Sequence, residues 1–333
     1  MSRPDPNKRI LIVGDVCPDT ILPYGAMKRR LADIVAGRSV PDAVPAPEYK
    51  QGGSCGNTAA VLGKLGARPC FICCLGKDYL SDFLRGELVA NGVDMALSRP
   101  HDLVIPIIYA ILDETGEKTI FLSVPPGGRY NSLCADDLPA DVSPFGWVHT
   151  TGMSLQEYET EAPAITDFIE RCHTAGVFVS FDLNMRVESF GMGEKRRGFY
   201  ERILRCADVI FGSSIDEFAP VTGINDLHGA ARALSTSENI VVARDADKPI
   251  LLIDRGAETV QPVLRLDSIV NKVGAGDAFS AAFIEAYRRG QSAAEAVRSG
   301  IAYASYLITH TGAHCIPDAA TLASLLSRLE QPQ

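Results

Sequence analysis

The chain lacks any run of apolar residues approaching the ~20 needed to cross a bilayer. Its N-terminal stretch, Met-Ser-Arg-Pro-Asp-Pro-Asn-Lys-Arg, also lacks the apolar core of a signal peptide. A cytoplasmic location is therefore expected, with no membrane partner. Excess positive charge is absent too: 32 Lys and Arg stand against 41 Asp and Glu, a net −9. That balance argues against nucleic acid or an anionic membrane surface as a main partner, while leaving room for a local basic pocket. No Cys/His cluster reads as a zinc site. The nine cysteines are scattered, with Cys73 and Cys74 adjacent, and an odd number without a framework reads as reduced thiols.

Two nucleotide signatures are also missing. The segment after the first apolar run, Gly14-Asp15-Val16-Cys17-Pro18-Asp19, is not the Gly-x-Gly-x-x-Gly of a dinucleotide site. Gly274-Ala275-Gly276-Asp277 has neither the spacing nor the Lys-Ser/Thr pair of a Walker A loop.

What the chain does contain is the alternation of an α/β protein, with 46% hydrophobic and 22% charged residues, enough for a sizeable core. Short apolar runs at Ile10–Val13, Phe71–Leu75, Trp147–His149, Val177–Phe181, Val209–Phe211 and Ile240–Val242 read as buried strands. Helical stretches such as Ala162–Cys172, Lys195–Cys206, Leu227–Leu234 and Ala293–Leu307 separate or follow them, the last with Ser292 and Glu295 in capping-box spacing. This order predicts a parallel sheet with helices on both faces. Ile107, Tyr109 and Ile111 alternate, a polar turn follows at 113–118, and Ile120 and Leu122 resume the alternation, which predicts a hairpin projecting from the main sheet. The segment from Ile21 to Lys50, with its basic cluster Met27-Lys28-Arg29-Arg30 and Pro41, Pro45 and Pro47, reads as an extended excursion; its cluster reads as a solvated face.

The chemistry concentrates between Ile269 and Tyr287. There a β-type segment passes through Gly274-Ala275-Gly276 into a helix with Phe279, Ala282, Phe283, Ala286 and Tyr287 on one face. Glycines at the start of a helix let an anion approach unpaired N–H groups at the positive end of the dipole. Asp277 follows at once. It suits a base that takes a proton from a hydroxyl attacking a phosphoryl group, and it equally suits a helix cap. Asp19 at a strand end suits a substrate hydroxyl or an ordinary turn. Gln51-Gly52-Gly53-Ser54-Cys55-Gly56-Asn57 opens another helix, which ends near Gly66.

Five elements in order, Gly14 with Asp19, Gly52-Gly53 with Asn57, the turn at 113–118, Asp182 with Asn184 and Arg186, and Gly274-Ala275-Gly276-Asp277, resemble the ribokinase-like (PfkB) carbohydrate kinases over nearly the whole chain. The resemblance implies one domain over residues 1–333, with a Rossmann-like, mostly parallel central sheet and a small β lid built from about 20–50 and 103–123. It implies an ATP- and Mg2+-dependent kinase of a sugar or sugar acid, and a homodimer formed through the lid. Asp19, Gly52, Gly53, Asn57, Tyr109 and Arg186 would meet the sugar. Asp277 would be the base, and the backbone of Gly274, Ala275, Gly276 and Asp277 the anion hole. Ser214, Glu217, Arg244, Lys272, His310 and Gly312 would lie on the nucleotide side, Glu217 acting on Mg2+ through water. His149, His310 and His314 carry no metal or triad spacing and read as structural.

Departures from the family pattern lie on the nucleotide side. Asn271 replaces the aspartate that helps bind a monovalent cation, Ser214-Ile215-Asp216-Glu217 loses an amide, and Ala243-Arg244-Asp245-Ala246-Asp247-Lys248 loses a threonine and two glycines. Potassium activation is accordingly not expected, and Lys272 or Arg244 is a candidate for a fixed charge in its place. The alternatives are a sugar-binding protein without catalysis on the same scaffold, or a nucleoside kinase.

Overall fold

Val13 ends one strand and Cys17 begins the next, so within the first 22 residues the chain feeds two different sheets. The computed structural model describes residues 3–38, 46–112, 118–123, 133–155, 161–270, 272–312 and 314–330. The hairpin turn at 113–117, Pro41, Pro45 and Asn271 lie outside the described residues.

The first part of the chain runs β1 (Arg9–Val13), β2 (Cys17–Leu22), α1 (Tyr24–Val35), β3 (Glu48–Gly52), α2 (Ser54–Lys64), β4 (Cys70–Ile72), α3 (Tyr79–Ala90), β5 (Ile107–Leu112) and β6 (Lys118–Ser123). It continues through β7 (Phe145–Thr151), α4 (Glu161–Thr174), β8 (Phe178–Asp182), α5 (Val187–Phe190), α6 (Glu194–Cys206), β9 (Val209–Ser213), α7 (Ile215–Thr222) and α8 (Leu227–Leu234). The remainder is β10 (Ile240–Asp245), β11 (Lys248–Asp254), β12 (Ala257–Gln261), α9 (Ala275–Arg288), α10 (Ala293–Ile308) and α11 (Ala319–Glu330).

The main sheet has eight strands in the order β12-β11-β10-β9-β8-β7-β1-β4. From β10 to β4 every pairing is parallel. Alternation within each strand divides the core. Ile10 and Ile12 face Trp147, Phe178, Phe211 and the helices α2, α9 and α10. Leu11 and Val13 face Val148, Phe181, Ile210 and the helices α4, α6 and α8. Cys70 and Cys73 stand three apart in sequence, yet they join opposite clusters, so the spacing makes no chelate. β4 ends at Ile72, short of the expected Leu75, because the Ser98 hydroxyl takes the Cys73 N–H at 3.0 Å.

Two features depart from the expected pattern. The sheet ends in an antiparallel meander, β10-β11-β12. β12 carries Ala-Glu-Thr-Val-Gln and is mostly exposed, so it offers no apolar run to read. The excursion between Ile21 and Lys50 contains a 12-residue helix, α1. Its basic cluster consists of good helix formers, Pro23 stands just before the first turn, and the other prolines follow its end.

The second sheet has four strands, β3-β2-β5-β6, with β2 and β5 parallel and both outer pairs antiparallel. This is the projecting β element, and it joins the hairpin to strands on either side of α1. α10 opens with the expected capping box: Glu295 donates its N–H to Ser292 Oγ, and Ser292 donates its own to Glu295 Oε2 at 2.7 Å.

Candidate active site

Gly274 caps α9 in the left-handed region, at φ +79°, and brings no side chain to the cap. The Ala275 N–H turns back on the Lys272 carbonyl at 3.3 Å. Gly276 and Asp277 then supply N–H groups of the first turn, which have no acceptor within the helix. The three atoms nearest to a Cβ at Gly276 would all belong to the Arg244 guanidinium, the first at an ordinary 3.5 Å. The chain's own packing thus does not demand glycine there, and the bare backbone leaves room for a ligand.

Asp277 is the meeting point of two distant helices. Ser54 Oγ donates to its Oδ1 at 2.6 Å, and Asn57 Nδ2 donates to its Oδ2 at 2.7 Å. Behind Ser54, Asn184 Nδ2 donates to the serine oxygen at 2.8 Å. Behind Asn57, His314 Nε2 lies 2.8 Å from the amide oxygen. The Asp277 side chain is half-buried, and the surrounding protein pushes its pKa up from 3.8 to about 7. The two donors oppose that rise, while the charges of Asp182 and Asp15 add to it.

Ser54 and Asn57 are held by the start of α2. Gly53 takes φ +86°, and a Cβ there would lie 2.6 Å from Val16 Cα, so only glycine lets the chain turn so close to the end of β1. No side chain at the N-cap of α2 accepts a hydrogen bond; Asp15 does so from afar, taking the N–H groups of Ser54 at 2.7 Å and Cys55 at 3.2 Å. Burial pushes the Asp15 pKa up, against these donors. Gly52 has a similar function toward Asp19, whose carboxylate would be 2.6 Å from a Cβ at that position.

Arg244 approaches α9 from below. It is 8% exposed, donates to Asp182 Oδ2 at 2.9 Å and to the Gly276 carbonyl at 3.0 Å, and lies 5.1 Å from the Phe279 ring. Ser280 Oγ also donates to Asp182. Glu217, in the first turn of α7, accepts the Ser213 N–H at 2.6 Å. Its carboxyl is raised by burial and then by Asp182, and lowered by Arg244 and Arg186. Arg186, exposed and left-handed at φ +47°, is thus one of the positive charges that bear on Glu217.

Thr20 pairs with Tyr109 and Asp19 with Ile108, so Tyr109 and Asp19 project from opposite faces of the small sheet. Lys272 is exposed. His310 is exposed and stacks on Tyr306 at 3.9 Å, near the chain entering the α9 turn, since Val270 donates to the Ile308 carbonyl. Gly312 accepts from the Cys315 thiol. Ser214 caps α7 by accepting the Asp216 N–H. His149 is buried in the core, where Ser180 Oγ links it to Trp147, and burial pushes its pKa down to about 4.

Residues 19–319 match the pfkB family carbohydrate kinase pattern. The chain belongs to this family. It is a carbohydrate kinase, and its relatives are kinases of sugars and ribosides. It is 28% identical over 256 residues to 2-dehydro-3-deoxygluconokinase of Dickeya dadantii, covering 73% of this chain and 81% of the relative. It is likewise 28% identical over 277 residues to aminoimidazole riboside kinase of Salmonella typhimurium, covering 79% and 83%. Among solved structures, fructokinase of Vibrio cholerae with fructose, ADP and calcium superposes with a TM-score of 0.77 at 21% identity, covering 97% of this kinase and 100% of the fructokinase. A putative ribokinase II of E. coli with ATP and Mg2+ gives 0.78 at 17%, covering 96% and 99%. In this kinase no helix among the described residues is long and apolar enough to cross a membrane.

Sequence reasoning missed three members of the network. Ser54 and Asn184 stood inside quoted motifs without being singled out, and His314 read as structural. Ser54 had a signal, a hydroxyl in the first turn of a glycine-led helix. His314 had none, because 257 residues separate it from Asn57.

Proposed function

We propose that this kinase transfers the terminal phosphoryl group of ATP to a hydroxyl of a sugar or sugar acid, with Asp277 as general base. The observation that carries the reading is the convergence of Ser54 and Asn57 on Asp277 at the open N-terminus of α9. Each carboxylate oxygen is held by one donor. The donors fix the group in place, while burial holds its pKa near 7 against them, suited to accepting a proton at neutral pH. The substrate hydroxyl gives its proton to Asp277 as its oxygen attacks. The N–H groups of Gly276 and Asp277 receive charge developing on the phosphoryl oxygens.

ATP supplies the phosphoryl group and Mg2+ neutralises phosphate charge when bound. Residues present fit both. The turn from Gly274 offers anion donors, and Glu217 is held through Oε2, with no described partner on Oε1. Glu217 would act on Mg2+ through water. Ser214, Lys272, His310 and Gly312 would flank the nucleotide, with Arg244 bracing the turn beneath it.

The sugar would lie between the small sheet, acting as a lid on the single domain, and the start of α2, touching Asp19, Gly52 and Gly53. Asn57, its amide engaged at both ends, would meet it beside the base. Tyr109 would contribute only from the lid's other face. Arg186 and the gluconate-type relative support a sugar acid; the riboside kinase relative, at equal identity, supports a riboside as second reading. Nine free cysteines, seven of them buried, support a reducing, cytoplasmic setting. The lid would also pair two copies.

ATP consumption against a panel of sugars, sugar acids and ribosides, with Asp277→Asn alongside, tests the reading. Turnover on one compound that disappears in the variant is expected. Silence across the panel, with no rise in melting temperature on adding Mg-ATP, would sink it in favour of a non-catalytic sugar binder.

A further inference from the structure

We propose that His314 is a positioning residue for the catalytic base, fixing the Asn57 amide so that its nitrogen, not its oxygen, faces Asp277. The inference rests on the reading of Asp277 as base.

The chain of contacts has one self-consistent polarity. Asp277 Oδ2 lies 2.7 Å from Asn57 Nδ2, and an ionised carboxylate only accepts. The amide nitrogen must therefore face it, which turns Asn57 Oδ1 toward His314 Nε2 at 2.8 Å. An amide oxygen also only accepts, so the Nε2 of His314 must carry the proton. Burial, aided by the Lys64 charge, pushes the His314 pKa down to about 4, so the ring is neutral through the working range and its tautomer is set by this bond. Lys64 Nζ in turn donates to the His314 carbonyl at 2.8 Å, tying the segment after α10 to the helix that carries Asn57.

Remove the imidazole and only the negative charge on Asp277 still selects the amide nitrogen, so the Asn57 amide is free to turn whenever the carboxyl is protonated. A flipped amide would set its oxygen against Asp277 Oδ2 and withdraw a donor from the carboxylate. The base would then hold its proton more tightly. The charged and titratable groups that bear on this pair are Asp15 from the end of β1, Asp182 from the end of β8 and Lys64 from α2. Arg244 bears on it from β10 through the Gly276 carbonyl. His314→Leu leaves all four in place.

The test is read on the protein without substrate, so its failure is separable from failure of the base reading, which Asp277→Asn activity decides. In wild type, long-range 1H–15N spectra should show His314 as the Nε2–H tautomer across pH 5.5–9; an Nδ1–H tautomer overturns the proposal. In 13C-aspartate-labelled protein, with Asp277→Asn to assign the signal, the Asp277 midpoint should rise by roughly one pH unit in His314→Leu, the equivalent of one charge-assisted hydrogen bond. His314→Gln, whose amide can donate in the same direction, should restore it. An unmoved midpoint in folded His314→Leu, or a midpoint in His314→Gln displaced from wild type by about one pH unit, overturns it. Should His314→Leu fail to fold, the tautomer and the glutamine variant still decide.

Discussion

Arg244 donates to the Asp182 carboxylate at 2.9 Å, with the two side chains 10% and 6% exposed, and the same guanidinium holds the Gly276 carbonyl. A cation thus sits permanently under the turn proposed to receive phosphoryl charge. A guanidinium fixed there supplies the positive charge that would otherwise have to be recruited as a monovalent ion.

Turnover is therefore expected to be the same in sodium and potassium buffers. Arg244→Met should lose roughly 3–5 kcal/mol of stability, because the buried Asp182 is left unpaired. Lys272→Ala, by contrast, should keep wild-type stability and stay indifferent to K+, since Lys272 is exposed and the buried charge is that of Arg244. Several-fold activation of the wild type by K+ would contradict this account.

Asp277 yields a prediction in pH. Its folded pKa, about 7, lies above the unfolded value near 3.8, so the folded protein binds the extra proton between the two. Stability contributed by the protonated carboxyl is full below about 3.8 and is lost as pH rises toward 7. Asp277→Asn, which does not titrate, should gain melting temperature relative to wild type over that window. It should lose about 10²–10⁴ in rate. The wild-type kcat/KM should fall on the acid side with a midpoint near 7.

Asp208 offers the same sign far from the chemistry. It precedes β9, accepts the Val179 N–H at 2.7 Å, and burial raises its pKa to about 7. Asp208→Asn retains an acceptor and removes the charge. It should leave kcat unchanged and stabilise the protein more at pH 8 than at pH 5, by about 2–3 kcal/mol. Equal shifts at both pH values would show that burial of the charge is not the cause.

Much of this architecture was legible because buried parallel strands are apolar throughout. Ile10–Val13 and Ile240–Val242 announce themselves, and each chemical turn follows such a run. The failures have equally definite causes. β12 is an exposed edge without an apolar pattern, and α1 turns a hydrophobic stripe to solvent amid prolines that suggest a loop. The turn at Asp277 was readable from local glycines. Asn184 and His314, which stand behind its partners Ser54 and Asn57, were not, because their contacts cross 130 and 257 residues and depend on how α2 is placed. Arg244 was noticed as an oddity of sequence; only the fold shows it buried beneath Gly276 rather than turned to solvent.

Gly52→Ala probes the sugar side. The new Cβ would fall within 2.8 Å of all three atoms of the Asp19 carboxylate, which must swing away. KM for the sugar should rise roughly tenfold or more, with KM for ATP little changed, since about 1.4 kcal/mol of binding corresponds to tenfold. Parallel rises in both constants would show that the strand, not the aspartate, had moved.

The last prediction concerns assembly. Along α1, Met27, Leu31 and Ile34 recur at helical spacing and are 42%, 62% and 58% exposed, with Tyr24 at 47% and Val35 at 80%. Tyr49 on β3 adds a further exposed aromatic on the same small sheet. Isolated exposed apolar side chains are ordinary; a stripe of five on one helix is a surface that water disfavours. If the lid pairs two copies, this stripe is the natural seam, and charge introduced there must be desolvated on association. Leu31→Glu with Ile34→Glu should convert a dimer to a monomer in light scattering, while the melting temperature measured through the buried Trp147 stays near that of wild type. A wild-type monomer at micromolar concentration, or a double variant that remains dimeric, would remove α1 from the interface and leave the stripe to some other part of the catalytic cycle.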